Sequence, residues 1–334
     1  MAACSEDRTR DASRREDTGA DTGADAGVPT DASVADAARP LPTCAVLSVI
    51  EGLAGPGRDS EGYVVPPPST LDAFEQMTRA AAEGRYGEAR AFADAVGYAI
   101  CRGEGDEADL VHLRPVDPNT GSAHVVLREG AAPGVIFEAP HPFYDTGTLS
   151  QSVALFRDLP GRALIASSTH RCANSTESGC DGTTGSCGTT GPYRESDVAH
   201  ATDSMFHRAH VALSEAYSGD LAISLHGMGG DGASLSNGTT DAVGPDTPVA
   251  RIAAAFVSAG IARVTSCSSG TSAPTEARLC GTTNVQGRHL NGAADACTTP
   301  ALSATERFVH IEQSRVVRGD VPRVVSALRD ALGF

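Results

Sequence analysis

The 334-residue sequence contains no lysine and no tryptophan, and aromatic residues make up only 4% of it. All 26 basic side chains are therefore arginine, set against 42 acidic ones for a formal charge of -16. A surface of that sign repels phosphate backbones and anionic lipid, which removes nucleic acid and peripheral membrane binding from the first readings. The shortage of aromatics argues against a carbohydrate-binding face. No run of about 20 apolar residues is present to span a bilayer. Also missing are the G-x-S-x-G nucleophile elbow, the H-E-x-x-H zinc motif and the Walker loop with its lysine, so serine-hydrolase, zincin and P-loop readings recede. A cationic ligand or a metal ion suits the charge better.

Cysteine is present nine times, at positions 4, 44, 101, 172, 180, 187, 267, 280 and 297, and never as C-x-x-C. These spacings do not match zinc fingers or ribbons. Scattered cysteines in Gly/Ser/Thr-rich loops read instead as disulfides formed in an oxidising, extracytoplasmic compartment. The opening "MAACS" resembles the end of a bacterial lipobox. The expectation is that translation starts upstream and that Cys4 carries a lipid anchor. Eight cysteines then remain for four bridges. Residues 1 to about 40, built from Asp, Ala, Gly, Thr and Pro, bury too little apolar surface to fold and read as a disordered acidic linker.

From residue 41 to 334 strand-like and helix-like runs alternate. "STLDAFEQMTRAAAEGRYGEARAFADAVGYAI" carries helical periodicity over one or two helices and opens with a capping-box-like Ser69 and Asp72. "LVHLRPV" and "AHVVLREG", which hold His112 and His124 on a sheet face, flank a turn-rich link and predict a hairpin. Five later runs, "GVIFEAP", "RALIASS", "LAISLHG", "IARVTSC" and "RFVHIEQ", read as strands of a buried sheet. Between them lie helical candidates that include "TLSQSVALFRDL", "SDVAHATDSMFHRAHVALSEA" and "TPVARIAAAFVSAG", with "VPRVVSALRDAL" last. The pattern predicts one α/β domain: an open, mostly parallel mixed sheet with helices on both faces and disulfide-containing loops.

Ligands of open α/β sheets bind outside the carboxyl ends of the strands. His141 and Asp145 follow the first of the five runs, Arg171 and Asn174 the second, His226 closes the third and Glu312 closes the last. Histidines and acids on neighbouring strand ends can converge on a metal, and a hydrolytic zinc takes three N/O ligands with one position left open. Glu312 interrupts an apolar strand, where an ionised carboxylate costs several kcal/mol unless it is paired or functional. His310 shares its strand face by period two and is read as supporting or merely packed.

The "PH" after a strand, the Arg and Asn after the next, "LHGM" at a strand end and the late "IEQSRVVR" resemble the N-formylglutamate amidohydrolases. That family belongs with the zinc carboxypeptidases and poly-γ-glutamate hydrolases in a phosphorylase/hydrolase-like fold, and the resemblance covers roughly residues 134 to 318. It implies zinc held by His141, Asp145 and His226, with Glu312 as the general base that takes a proton from the attacking water. It also implies Arg171 and Asn174 as recognisers of a substrate carboxylate. The spacing of Asp145 departs from the H-x-x-E of the resembled pattern, and Glu138 is the rival third ligand.

The implied activity is zinc-dependent cleavage of an amide bond adjacent to a carboxylate in an N-acyl amino acid, a peptide terminus or a γ-glutamyl link. The alternative is a cell-surface binding or structural lipoprotein that kept the fold without catalysis. Asn284 and Arg288, in the segment between Cys280 and Cys297, are further candidates for substrate contact, against the reading of a disulfide-held surface loop. Cys172, if bridged to Cys180 or Cys187, would stiffen the Arg171 loop. His200, His207 and His210 are read as an exposed helix face.

Overall fold

The computed structural model describes residues 39–132, 134–241, 243–267 and 279–334. Cys4 and the expected N-terminal linker, apart from Arg39 and Pro40, lie outside the described residues. The strands are β1 Thr43–Cys44, β2 Tyr98–Gly103, β3 Leu110–Pro115, β4 Ala123–Arg128, β5 Val135–Ala139, β6 Gly161–Ser167, β7 Thr183–Thr184, β8 Gly191–Pro192, β9 Leu221–Gly227, β10 Ala233–Ser236, β11 Val264–Ser266 and β12 Phe308–Gln313.

One mixed sheet runs in the order β1-β2-β3-β4-β6-β5-β9-β12-β10-β11, and β7 pairs separately with β8. Its centre, β6-β5-β9-β12, is parallel. The hairpin β3–β4 extends it antiparallel on one side, and β10 enters antiparallel to β12 on the other. The α/β architecture read from the sequence is therefore present. Two details differ. The run "IARVTSC" supplies only the three-residue edge strand β11, and its neighbour β10, "ASLS", is too short and polar to signal itself by hydrophobic pattern. The first long helix begins at Pro68 behind Pro67, with proline in its first turn and no side-chain cap, so Ser69 and Asp72 do not form the anticipated box.

Period two sorts the central strands into two cores. Val135, Phe137, Ile223, Leu225, Val309 and Ile311 face one cluster, packed under Phe156, Phe256 and Leu328. Ile136, Ala222 and Phe308 face the other, under Phe74, Met77, Phe206 and Leu213. Burying each such phenylalanine contributes about 2–3 kcal/mol. Alternation then puts Glu138, Ser224, His226, His310 and Glu312 on the second face, toward the helix Met205–Ala216. Register sets His226 beside Glu312 and Ser224 beside His310.

The long connections between these elements are pinned by Cys172–Cys187, Cys180–Cys297 and Cys267–Cys280, while Cys44–Cys101 joins β1 to β2. The eight cysteines left for bridging thus form four pairs. Cys280 and Cys297 bond to separate partners rather than closing the segment between them. No helix among the described residues is long and apolar enough to cross a membrane.

Within the hairpin, His112 Nε2 and His124 Nδ1 share one hydrogen bond of 3.0 Å in the interior. The outer nitrogens of the pair are buried without partners among the described residues. Burial disfavours the charged ring, lowering His112 well below its ordinary value and His124 to about 4. Because the folded values are depressed, both rings stay neutral in the native protein while the unfolded chain takes up protons as pH falls below about 6.5. Their contribution is intact above that pH and is lost on the way down to about 4. Urea unfolding of wild type and His124→Leu at pH 6.5 and 4.5 should show the variant losing about 2 kcal/mol less over that interval. Equal losses would mean that the imidazole pair is not the acid-sensitive element.

Candidate active site

At the carboxyl ends of the central strands opens a cavity of about 530 Å³, lined by His141, Arg171, His200, His226, His310 and Glu312 among others. Its rim comes from the disulfide-held segments around Thr183–Ser186 and Cys280–Thr283.

The chain leaves β5 at Ala139 and turns at once. Asp145 N donates to His141 O at 2.8 Å, and both the Thr148 amide and its Oγ1 donate to Asp145 O. This single helical turn brings a residue four positions on to the same side as His141, so the unusual spacing is met by local geometry. Asp145 Oδ2 lies 3.5 Å from His141 Nδ1 and 3.8 Å from His226 Nδ1. One donor atom from each of the three residues falls within 4.8 Å of the others. All three side chains are buried. Glu138, the rival ligand, is not part of this group: its Oε1 is 2.5 Å from His210 Nδ1, beneath the Met205–Ala216 helix.

The far nitrogens of both imidazoles are occupied. His141 Nε2 is 2.7 Å from Asp197 Oδ1. Arg171 donates to Asp197 Oδ2 from Nε at 2.9 Å and Nη2 at 2.5 Å. Burial opposes the Asp197 charge, but Arg171 and His141 overcome it and hold the carboxyl below its usual range. For His141, burial and the Arg171 charge oppose protonation, and Asp197 with Asp145 outweighs them to leave its pKa raised. A buried ring facing two acids thus calls for positive charge, and its Nδ1 has no hydrogen-bond partner among the described residues. His226 is held neutral by burial and by neighbouring His310 and His141, and its Nε2 lies 3.1 Å from Ser224 Oγ. Nδ1 of each ring and a carboxylate oxygen therefore lie together, with the opposite ring nitrogens engaged as in metal-binding histidines, so that a cation could take the place of the His141 proton. The residues fit a divalent ion.

Packing around this point is tight. A Cβ on Gly227 would come 2.2 Å from Arg318 Nη1 and 3.0 Å from Asp145 Oδ1. Arg318, from the late "SRVVR", donates to the carbonyls of Thr146 and Gln313 and so ties the Asp145 turn to the end of β12. Glu312 reaches the cavity beside His226, and its Oε2 is buried with no hydrogen-bond partner among the described residues. Burial, then the Asp145 charge, pushes its pKa up to about 7. His310 Nε2 lies 3.7 Å from Glu312 Oε1, and its ring packs on His226 with centroids 4.4 Å apart.

Other expected contacts fall elsewhere. Arg171 lines the cavity, but Asp197 engages two of its nitrogens. Asn174 is outside the lining: it donates to Glu195 and accepts from Ser196 N. Asn284 caps the helix Val285–Leu290, and Arg288 is buried against Asp181 and the carbonyls of Thr282 and Cys297. These three satisfy backbone and fix loops instead of facing the cavity. The helix expected from residue 196 starts only at Met205, because Ser204 Oγ accepts the His207 amide as an N-cap. His207 and His210 are buried, not an exposed face. Asp197 and His200, released from that helix, belong to the site. The missed signal was Ser204 itself, a capping residue ahead of the apolar run.

No known family profile matches the chain, and no curated protein matches it. Among solved structures it is similar to a bacteriophage poly-gamma-glutamate hydrolase, at 14% identity and TM-score 0.36 over 64% of this chain and 88% of that one. It is also similar to a succinylglutamate desuccinylase from Chromobacterium violaceum, at 12% identity and TM-score 0.35 over 76% and 72% of the two chains. At these values neither protein's activity transfers to this chain.

The raised pKa of Glu312 has a stability consequence in metal-free protein. Its folded value exceeds the unfolded one, so its contribution is full below about 4.5 and is lost as pH rises through about 7. Glu312→Gln removes the penalty. The metal-free variant should gain stability over wild type between pH 5 and 8 in chemical unfolding, and a constant difference across that range would contradict the burial of this carboxyl.

Proposed function

We propose that this protein is a zinc-dependent hydrolase that cleaves an amide bond adjacent to a carboxylate. The observation that carries the reading is the meeting of His141 Nδ1, His226 Nδ1 and Asp145 Oδ2 next to a part-buried, cavity-facing Glu312. Two imidazole nitrogens and one carboxylate oxygen are a donor set suited to zinc with an open position. When bound there, the ion would supply Lewis acidity, polarising a carbonyl and lowering the pKa of water toward ~7.

The chain's own groups do the remaining work. Glu312, which lines the cavity beside His226, takes the proton of the attacking water and returns it to the leaving nitrogen. Asp197, which only accepts, fixes the His141 tautomer, and Ser224 orients the His226 ring. Arg171 Nη1, the guanidinium nitrogen left over from the Asp197 clamp, receives the substrate carboxylate from the cavity wall. Four disulfides support action in an oxidising, extracytoplasmic compartment, and a lipid on Cys4 would tether the enzyme to a membrane.

Purified protein should carry about one zinc per chain by elemental analysis, and chelation should remove its activity on N-acyl amino acids. A metal-free chain indifferent to added zinc would favour a binding protein on this fold. Glu312→Gln should keep the metal and lower kcat by about 10²–10⁴-fold; unchanged turnover would reassign the base. Asp197→Asn should weaken zinc binding about 10–100-fold in chelator competition, with no change expected if Asp197 only supports the loop.

A further inference from the structure

His200 has no part in the reaction as drawn above, yet its ring is fixed on every side but one. Its backbone amide closes a turn onto Asp197 O at 2.7 Å. The ring stacks on Tyr193, centroids 3.7 Å apart and planes 4° from parallel. Its Nδ1 lies 2.9 Å from the Thr283 carbonyl, and Tyr193 Oη lies 3.0 Å from Thr283 Oγ1. Stacking partner and hydrogen-bond partner are thus tied to one residue of the segment that Cys267–Cys280 anchors. A carbonyl only accepts, so Nδ1 carries the proton and Nε2 of the neutral ring presents a lone pair. Burial keeps the ring neutral, with a pKa lowered to about 4. Nε2 has no hydrogen-bond partner among the described residues, and the imidazole lines the cavity 6.5 Å from that of His141.

We propose that His200 Nε2 accepts the N–H of the scissile amide, making it the residue that selects amides over the corresponding esters. The assignment rests on the amidase reading. Arg171 and His200 flank the same Asp197, one by ion pair and the other by turn. In an N-acyl amino acid the carboxylate and the amide N–H hang from one carbon, so a single cavity wall can hold both. An ester places an oxygen lone pair against Nε2, where an amide places a donor. A ring of one tautomer, locked by stacking and by Thr283, loses little freedom in making that distinction.

Calorimetry on the zinc-loaded Glu312→Gln protein, whose slowed turnover lets binding be read before hydrolysis, tests this with N-acetyl-alanyl-alanine and the ester analogue in which the N–H next to the terminal carboxylate is replaced by oxygen. The amide should bind about tenfold more tightly. Adding His200→Phe, which keeps the stack on Tyr193 and removes the acceptor, should bring the ratio within twofold, and His200→Gln should restore part of it. Equal binding of the two ligands, no measurable binding of the amide, or a ratio untouched by His200→Phe overturns the assignment. The two readings fail separately. Amide preference without hydrolysis by the wild type sinks the amidase reading and leaves the role of His200, whereas hydrolysis without amide preference does the reverse.

Discussion

The site depends on a buried carboxylate that cannot move. Asp197 is fully enclosed between the Arg171 guanidinium and His141 Nε2, and it begins the turn that delivers His200. A buried ion costs several kcal/mol unless its partners are close and well aligned, so this one restricts the loops that carry it. Fixing Nε2 of His141 leaves Nδ1 as the only outward donor, and Nδ1 is where Asp145 and His226 converge. Without Asp197 the imidazole would be free to rotate or change tautomer, and the meeting point would disperse.

The sheet provides the other half of the geometry. Parallel pairing of β9 with β12 places His226 and Glu312 side by side without any loop between them, so the distance from ligand to base is set by strand spacing. Arg318 and Gly227 then close the gap beneath Asp145. The rim is built differently. Its described segments, around Thr183–Ser186 and Cys280–Thr283, are held by three disulfides.

Much of this was legible in the sequence because the central strands are continuous apolar runs that end in chemistry-bearing residues. His141, His226 and Glu312 could be placed at strand ends by that rule alone, and the structure brings them to one cavity. What stayed hidden depended on local hydrogen bonding. Helical periodicity runs backward from Met205 through residues 197 to 204, and only the Ser204 cap stops it, so the sequence pattern extends over Asp197 and His200 a helix they do not enter. Asn174, Asn284 and Arg288 have the side chains of a polar subsite, but nearby backbone groups and acids use them first. Glu138 and Asp145 are rival carboxylates in the sequence, with Asp145 the preferred ligand. The turn at His141 and the His210 imidazole separate them.

The most direct test of the central claim is X-ray absorption spectroscopy on the zinc-loaded protein. The account predicts a first shell of nitrogen and oxygen only, at about 2.0–2.2 Å, with two imidazoles whose scattering signature is reduced to one in His226→Ala. A sulfur shell, or a spectrum identical in wild type and His226→Ala, would contradict it.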